Sequence, residues 1–296
     1  MITIATKAEM HAHTAATRAA GWRIGLVPTM GAFHAGHHAL MRAARETCDE
    51  VVVSLFVNPA QFDEAGDLAA YPRTLERDAA EAAELGVDVL FAPPAEEVYP
   101  PGFATSVRVE GLSEVLEGAE RGAGHFAGVC TVVAKLLNVV APDVAFFGQK
   151  DAQQVAVVRR MVADLDIPVA IEVVPTVREP DGLAMSSRNV RLDAEERERA
   201  IALSRALRAA GDALGEGERD AARLRESALA AMAPYGVEPE YLALVDPDSF
   251  SPVDTVNGRV LVAVAARVGD VRLIDNALFQ THGGDPARAP TTTKER

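Results

Sequence analysis

Five short segments of the chain are almost continuously hydrophobic, and amphipathic segments separate most of them. The hydrophobic segments are residues 23–29, 51–57, 87–92, 143–148 and 169–174. A strand buried on both faces shows this continuous hydrophobicity. The segments with helical spacing of apolar residues are 38–48, 75–85, 129–140 and 152–163. The alternation predicts an α/β fold with a Rossmann-like, doubly wound parallel sheet.

The pattern changes after Pro175. A polar loop, VREPDGLAMSSRN, leads to two Ala-, Arg- and Glu-rich helical segments, 193–214 and 220–233, which precede the short apolar runs YLALVD, RVLVAVAARV and VRLIDNA. Helices followed by strands predict a smaller C-terminal α+β domain. We therefore expect a Rossmann-like domain over residues 1–175, a smaller lid domain over 176–280 and a site between them. Residues 281–296 have almost no apolar content, and we expect a disordered tail.

Composition narrows the class of protein. The chain is 49% hydrophobic and 24% charged, and no run approaches the roughly 20 apolar residues of a membrane helix. With no export signal in view, we expect a cytoplasmic protein. A net charge of −14 opposes binding to nucleic acid or to an anionic membrane, because both require a basic face. Cys48 and Cys130 lie far apart in apolar segments, which favours buried thiols over a disulfide.

The segment PTMGAFHAGHHAL, residues 28–40, leaves a predicted strand through a glycine turn and enters a helix. Free backbone N–H groups and the positive end of a helix dipole meet at such a corner, where anions bind. His34 and His37 are three residues apart and face the same way, so their N–H groups could hold phosphate oxygens. A metal patch or histidines without a role are the alternatives. A metal is disfavoured because no third ligand of suitable spacing is evident.

Two further segments carry cationic and hydroxyl side chains. FFGQKDAQQ, residues 146–154, follows another predicted strand and supplies Lys150, whereas MSSRN, residues 185–189, supplies two serines and Arg188. A guanidinium can bind phosphate with two hydrogen bonds. Each segment could also be an ordinary helix cap or a solvated loop. Their positions favour function, since ligand sites gather at the carboxyl ends of parallel strands.

The segment SLFVNPAQF, residues 54–62, places neutral amides after a buried strand. Asn58 and Gln61 could orient a small polar substrate without adding charge. A simple Asn-Pro turn is the alternative. GAGHFAG, residues 122–128, spaces its last glycine wrongly for a dinucleotide fingerprint and follows no clear strand, so it predicts no site.

Six segments taken in order resemble the pantothenate synthetase family: PTMGAFHAGH, LFVNPAQF, YPRTLERD, GHFAGV, FFGQKD and DGLAMSSRN. HAGH is similar to the HIGH-type signature of nucleotidyltransferases, and MSSRN to its KMSKS-type counterpart. The resemblance extends to about Ala277. It implies an ATP-dependent ligase that converts pantoate to pantoyl adenylate and pyrophosphate, after which β-alanine displaces AMP. It also implies Mg²⁺ accompanying ATP, and a homodimer.

The resemblance implies roles for individual residues. Those implied in catalysis are His34, His37, Lys150 and Arg188, with His37 as proton donor. Those implied to bind ATP are Met30, His34, His37, Gly148, Gln149, Lys150, Asp151, Val177, Met185, Ser186, Ser187 and Arg188. Gln61 and Gln154 are implied to hold pantoate, with Asn58 in the same wall. No protein ligand to a metal is implied.

The chain departs from the family pattern at two places. LEGAERGAGHF replaces LEGxxRPGHF and is one residue longer, so roles for Glu117 and Arg121 are less secure. GQKD replaces GEKD, and we expect Gln149 to act through its backbone. Two rival functions stay open: a nucleotidyltransferase that makes a dinucleotide-like product, and a catalytically silent nucleotide-binding protein.

Overall fold

The computed structural model describes residues 1–62, 66, 68 and 71–281. Its larger sheet contains the strands β1 (Ile2–Ile4), β2 (Ile24–Thr29), β3 (Glu50–Leu55), β4 (Val89–Phe91), β5 (Val144–Gly148) and β6 (Ala170–Val174). The strand order is β1-β4-β3-β2-β5-β6, and every pairing is parallel. The five predicted strands are confirmed. The sequence pattern missed β1.

Helices connect these strands and cover both faces of the sheet. They are α1 (Lys7–Ala19), α2 (Ala35–Thr47), α3 (Leu75–Glu84), α4 (Ala95–Val98), α5 (Glu117–Arg121), α6 (Ala123–Val140) and α7 (Ala152–Asp164). Two apolar clusters, one containing Leu26, Val52 and Leu137 and the other Val27, Val53 and Met41, pack along the strands. Alternate residues of one strand thus enter different clusters, as the pleat of a strand buried on both faces requires.

The second part of the chain forms a separate antiparallel sheet with its own helices. The elements are α8 (Ala194–Ala200), α9 (Ala202–Gly215), α10 (Ala221–Met232), β7 (Pro239–Val245), β8 (Arg259–Val268) and β9 (Val271–Gln280). The strand order is β7-β8-β9, and α9 and α10 share one apolar cluster with these strands. The predicted fold class is confirmed. The division at residue 175 stays a prediction. The predicted start of the disordered tail at Thr281 was wrong, because Thr281 is buried and exchanges hydrogen bonds with Gly258. Residues 282–296 lie outside the described residues.

Several predicted boundaries were wrong. The pattern missed α1, and the single helix predicted over 193–214 is the pair α8 and α9, which meet at Ile201. Helix α6 begins at Ala123, six residues before the predicted start, so GAGHFAG forms its first turns. Gly128 there faces the turn after β3, because a Cβ on it would lie 2.1 Å from the Ala60 carbonyl oxygen.

Other predictions about burial agree with the structure. Cys48 and Cys130 are both buried free thiols, as expected. Among the described helices, none combines the length and apolar character needed to cross a bilayer.

The strand order fixes where a ligand can enter the parallel sheet. The chain runs outward from β2 through β3 and β4 on one side and through β5 and β6 on the other, so the order reverses between β2 and β5. Ligands of open α/β sheets bind beyond the carboxyl ends of the strands at this switch point. The PTMGAFHAGH and FFGQKD segments begin there.

Candidate active site

A cavity of about 530 Å³ opens at the switch point and extends to the antiparallel sheet. All four predicted segments meet in it. The predicted residues that line it are Met30, His34, His37, Asn58, Gln61, Gly148, Lys150, Asp151, Gln154, Val177, Met185, Ser186, Ser187 and Arg188. Gln149 is the predicted residue that does not line the cavity. The size is within the range of small-molecule sites, about 300–1,000 Å³.

Residues 30–37, the turn that leads from β2 into α2, are called the histidine corner. A buried carboxylate binds this turn. Gly31 and Ala32 have φ values of 84° and 53°, so two successive residues are left-handed. Asp78 of α3 accepts hydrogen bonds from the backbone N–H groups of Ala32 (2.8 Å) and Phe33 (2.9 Å), and from Thr74 Oγ1 (3.0 Å). These bonds fix a turn that an alanine disfavours. Sequence reasoning missed Asp78, although its segment YPRTLERD belongs to the resemblance.

The two predicted histidines orient each other at the first turn of α2. The backbone N–H of Gly36 donates to His34 Nδ1 at 3.1 Å, and the backbone N–H of His34 donates to His37 Nδ1 at 3.3 Å. The ring centroids are 4.1 Å apart. Because each Nδ1 is an acceptor, each neutral ring carries its proton on Nε2.

Both rings are neutral near neutral pH. Burial, followed by the charge of Lys150, lowers the pKa of His34 to about 4. Burial, followed by His34 and Lys150, lowers the pKa of His37 to about 3. The pair therefore offers two Nε2–H donors rather than two cations. Such donors can hold phosphate oxygens without bringing positive charges together.

Lys150 lies in a short 3₁₀ turn, Gln149–Asp151, immediately after β5. Its ammonium is 3.8 Å from Asp151 Oδ2, and its side chain is 21% exposed. The Gln149 side chain turns away and donates to Asn276 Oδ1 of β9 at 3.0 Å. The side chain of Gln149 is therefore engaged within the protein, and a backbone contact between Gln149 and ATP stays a prediction.

The MSSRN segment follows a hairpin-like loop that starts after β6. The Met185 N–H donates to the Val177 carbonyl oxygen (2.9 Å), and the Ser186 hydroxyl accepts from the backbone N–H of Arg188 (3.2 Å). Asn189 Nδ2 ties the loop closed by donating to Glu179 Oε1 (2.9 Å). These contacts bring the segment to the cavity wall, where its side chains join Lys150 and the histidines.

The amide wall contains Asn58 and Gln61, and Gln61 donates from Nε2 to Met30 Sδ at 2.8 Å. Asn58 is 1% exposed; its Nδ2 donates to Gln61 Oε1 and to the Gly128 carbonyl oxygen, both at 3.1 Å. Its Oδ1 accepts from the Tyr99 hydroxyl at 2.8 Å and from the Ala60 N–H at 3.3 Å. All its polar positions are thus used within the protein, and Asn58 holds Gln61 in the wall.

A charged network closes the cavity between the two sheets. Glu117 of α5, 6% exposed, accepts from Arg272 of β9 at 2.7 and 2.8 Å, from the Tyr241 hydroxyl at 2.8 Å and from Arg121 Nε at 2.9 Å. Burial alone would raise the pKa of Glu117, but the bonds from Arg272 outweigh it and lower the pKa to about 2. Arg121 and Glu117 are therefore hydrogen-bonded to each other, although this loop is one residue longer than the family pattern.

Gly122 has a backbone conformation that proline cannot adopt. It has φ of 83° between α5 and α6, whereas proline is fixed near −65°.

Within the described ranges, no group of three or more His, Cys, Asp or Glu side chains is arranged to hold a metal ion.

The parallel sheet, its switch point and the histidine corner define a Rossmann-like α/β protein with a HIGH-type corner. The sequence profile described as pantoate-beta-alanine ligase matches residues 2–278. The pantothenate synthetase of Pelotomaculum thermopropionicum is 51% identical over 283 residues, which cover 94% of this chain and 99% of the relative. That of Heliobacterium modesticaldum is 55% identical over 264 residues, covering 88% and 92%.

Solved structures give the same result. The pantothenate synthetase of Thermus thermophilus superposes with a TM-score of 0.88 at 47% identity, covering 94% of this chain and 99% of that one. The pantoate-beta-alanine ligase of Francisella tularensis, a complex with beta-gamma ATP and beta-alanine, gives 0.78 at 35% identity, covering 94% and 97%. The chain belongs to the pantoate–β-alanine ligase family.

Proposed function

We propose that the protein joins pantoate to β-alanine at the expense of ATP and releases pantothenate, AMP and pyrophosphate. One observation carries the proposal. A single cavity is lined by the neutral histidine pair, the cationic segments and the amide wall, and its volume of about 530 Å³ suits small-molecule ligands. The Francisella tularensis relative was solved with beta-gamma ATP and beta-alanine, which supports the same pair of ligands here.

In the first step, a carboxylate oxygen of pantoate attacks the α-phosphorus of ATP, and the bond to pyrophosphate breaks. We assign the phosphate-facing donors to His34, His37, Lys150 and Arg188, together with the hydroxyls of Ser186 and Ser187. Charge accumulates on the leaving pyrophosphate, and donors already in place stabilise it without reorganisation. Asp151 would accept from ribose hydroxyls. The neutral Nε2–H of His37 suits a hydrogen-bond donor, and an approaching triphosphate raises the pKa of that ring towards a proton donor's.

In the second step, the amine of β-alanine attacks the acyl carbon of pantoyl adenylate. The amide bond forms, the bond from the acyl carbon to the AMP oxygen breaks, and the amine loses a proton. We assign pantoate to Gln61 and Gln154, with Asn58 holding Gln61 in place. The protein forms no covalent bond in either step, so positioning supplies most of the rate.

Several features of the proposal rest on the family alone. Mg²⁺ prefers phosphate oxygens and waters, so it would enter with ATP rather than on a protein cage. Asp151, whose Oδ2 lies 3.8 Å from the Lys150 ammonium, is a carboxylate of the cavity that could approach the ion. We also propose a homodimer, which light scattering after gel filtration would test, and a cytoplasmic location. A lid domain over residues 176–280 would close on ATP; identical scattering profiles with and without ATP plus pantoate would contradict closure.

The decisive experiment is pantoate-dependent exchange of labelled pyrophosphate into ATP, first without and then with β-alanine. The ligase should catalyse exchange with pantoate alone and release AMP only when β-alanine is added. A stable nucleotidyl product without AMP would identify a nucleotidyltransferase instead. Unchanged pantothenate formation by His37→Ala would remove His37 from the mechanism.

A further inference from the structure

The turn that carries Lys150 is held by a side chain from the other sheet. Asn276 of β9 is 4% exposed, and its Nδ2 donates to the backbone carbonyl oxygens of Gln149 (2.9 Å) and Lys150 (2.8 Å). Its Oδ1 accepts from Gln149 Nε2 at 3.0 Å. Both amide protons and the amide oxygen of Asn276 are therefore spent on two consecutive residues.

The preceding residue of the same strand binds the loop that leads to MSSRN, the other cationic segment. Asp275, 3% exposed, accepts from both terminal nitrogens of Arg178, at 2.6 and 2.9 Å. Arg178 pairs with Ala184 in the loop that leads to MSSRN. Successive side chains of a strand point to opposite faces, so β9 can contact both segments at once.

The bonds from Asn276 bear directly on the position of the Lys150 ammonium. The ammonium has an ion-pair contact with Asp151 at 3.8 Å, which is long for a hydrogen bond. The position of the ammonium at the end of this long, flexible side chain thus depends on where the Lys150 backbone lies. The two bonds from Asn276 to the carbonyl oxygens of Gln149 and Lys150 fix that backbone position.

We propose that Asn276 is a positioning residue for Lys150 and thereby makes adenylate formation depend on the C-terminal sheet. This inference rests on the proposed function, in which Lys150 faces the phosphates of ATP. Pyrophosphate has left before the amine attacks. Loss of Asn276 should therefore slow the first step and spare the second.

The test compares the two half-reactions in Asn276→Ala and Asn276→Asp. Asn276→Ala removes all three bonds. Asn276→Asp keeps the shape but sets one carboxylate oxygen, in place of Nδ2, against two carbonyl oxygens. A displacement on the order of 1 Å in a reacting assembly costs about a hundredfold. We expect pantoate-dependent pyrophosphate exchange to fall about 10- to 100-fold in Asn276→Ala and further in Asn276→Asp. Conversion of supplied pantoyl adenylate with β-alanine should stay within about threefold of wild type.

Asn138→Asp is the matched control. Asn138 is exposed on α6 and donates to the Ala134 carbonyl oxygen within its own helix, so the same change should leave both half-reactions unaltered. Gln149→Ala removes one of the three bonds; it should slow exchange by a few-fold and not add to the effect of Asn276→Ala. If Asn276→Asp does not fold, Gln149→Ala serves as the second test of the positioning role.

Exchange within threefold of wild type in Asn276→Ala, or equal losses in both half-reactions, would overturn the positioning role. A wild-type protein that shows no pantoate-dependent exchange would overturn the proposed function instead. The two failures are therefore distinct.

Discussion

A substitution at Gly36 should change the activity of the histidine corner without changing the stability of the fold. It is the second residue of α2, and a Cβ added there would lie 2.8 Å from His34 Cε1 and 3.0 Å from His34 Nδ1. Ordinary contacts begin at 3.4 Å, so the ring must move by 3.4 − 2.8, or about 0.6 Å. The same movement lengthens the hydrogen bond from the Gly36 N–H to His34 Nδ1. That hydrogen bond is what keeps the ring proton on Nε2.

We expect Gly36→Ala to slow adenylate formation by about tenfold or more, since a displacement of about 1 Å costs about a hundredfold. Stability should not fall. Alanine is favoured over glycine inside a helix by up to about 1 kcal/mol, and the ring can rotate aside. Single-turnover formation of pantoyl adenylate measures the rate, and thermal unfolding measures stability.

Gly215→Ala is the matched control, because Gly215 ends α9 and an added Cβ there meets nothing within 4 Å. It should leave adenylation unchanged. Full adenylation activity in Gly36→Ala would refute the claim that the His34 ring position matters. A loss of several degrees in Tm together with the activity would show that the corner had unfolded rather than shifted.

Three other outcomes follow from the site. His34→Ala and Lys150→Ala should each cut single-turnover adenylation by about a hundredfold, the scale of a lost charge-stabilising donor, and losses below threefold would contradict their role. In urea unfolding, Arg272→Ala should cost about 2 kcal/mol, because buried Glu117 loses both bonds from Arg272 but keeps those from Arg121 and Tyr241. Arg267→Ala, which removes a side chain that is 61% exposed, should cost under about 1 kcal/mol. The lowered pKa values of His34 and His37 mean that protons bind the unfolded chain first as pH falls, so stability should decline from about pH 6.5 towards pH 3 and stay level above 6.5. Replacing both histidines with glutamine should flatten that decline in urea titrations at several pH values.

Local pattern was sufficient for the elements whose burial shows in consecutive residues. Strands β2 and β3 are buried along nearly their whole length, so their continuous hydrophobicity was readable. Helix α1 was not readable, since its buried positions are Met10, Thr14 and Thr17 and two of the three are polar. Strand β1 is three residues long with one buried side chain, which leaves no period to detect.

In the site too, some residues could be predicted from local sequence and others could not. The sequence predicted the segments that face the cavity, because each follows a strand and carries polar side chains in a recognisable order. It could not predict their supports. Asp78 binds a turn 46 residues earlier in the chain, and Asn276 binds residues 127 and 126 positions earlier. No local period connects such positions, and only the packed structure brings them together.

The contribution of β9 also sets an order of events during protein synthesis. The parallel sheet is complete once β6 has emerged, and domains fold as units from the N-terminus. The turn bearing Lys150 and the loop bearing Arg178 nevertheless lack Asn276 and Asp275 until the last strand of the described chain is made. A nascent chain can therefore hold a folded sheet with an unfinished phosphate-facing corner, and this corner should become competent for ATP only when translation has passed β9.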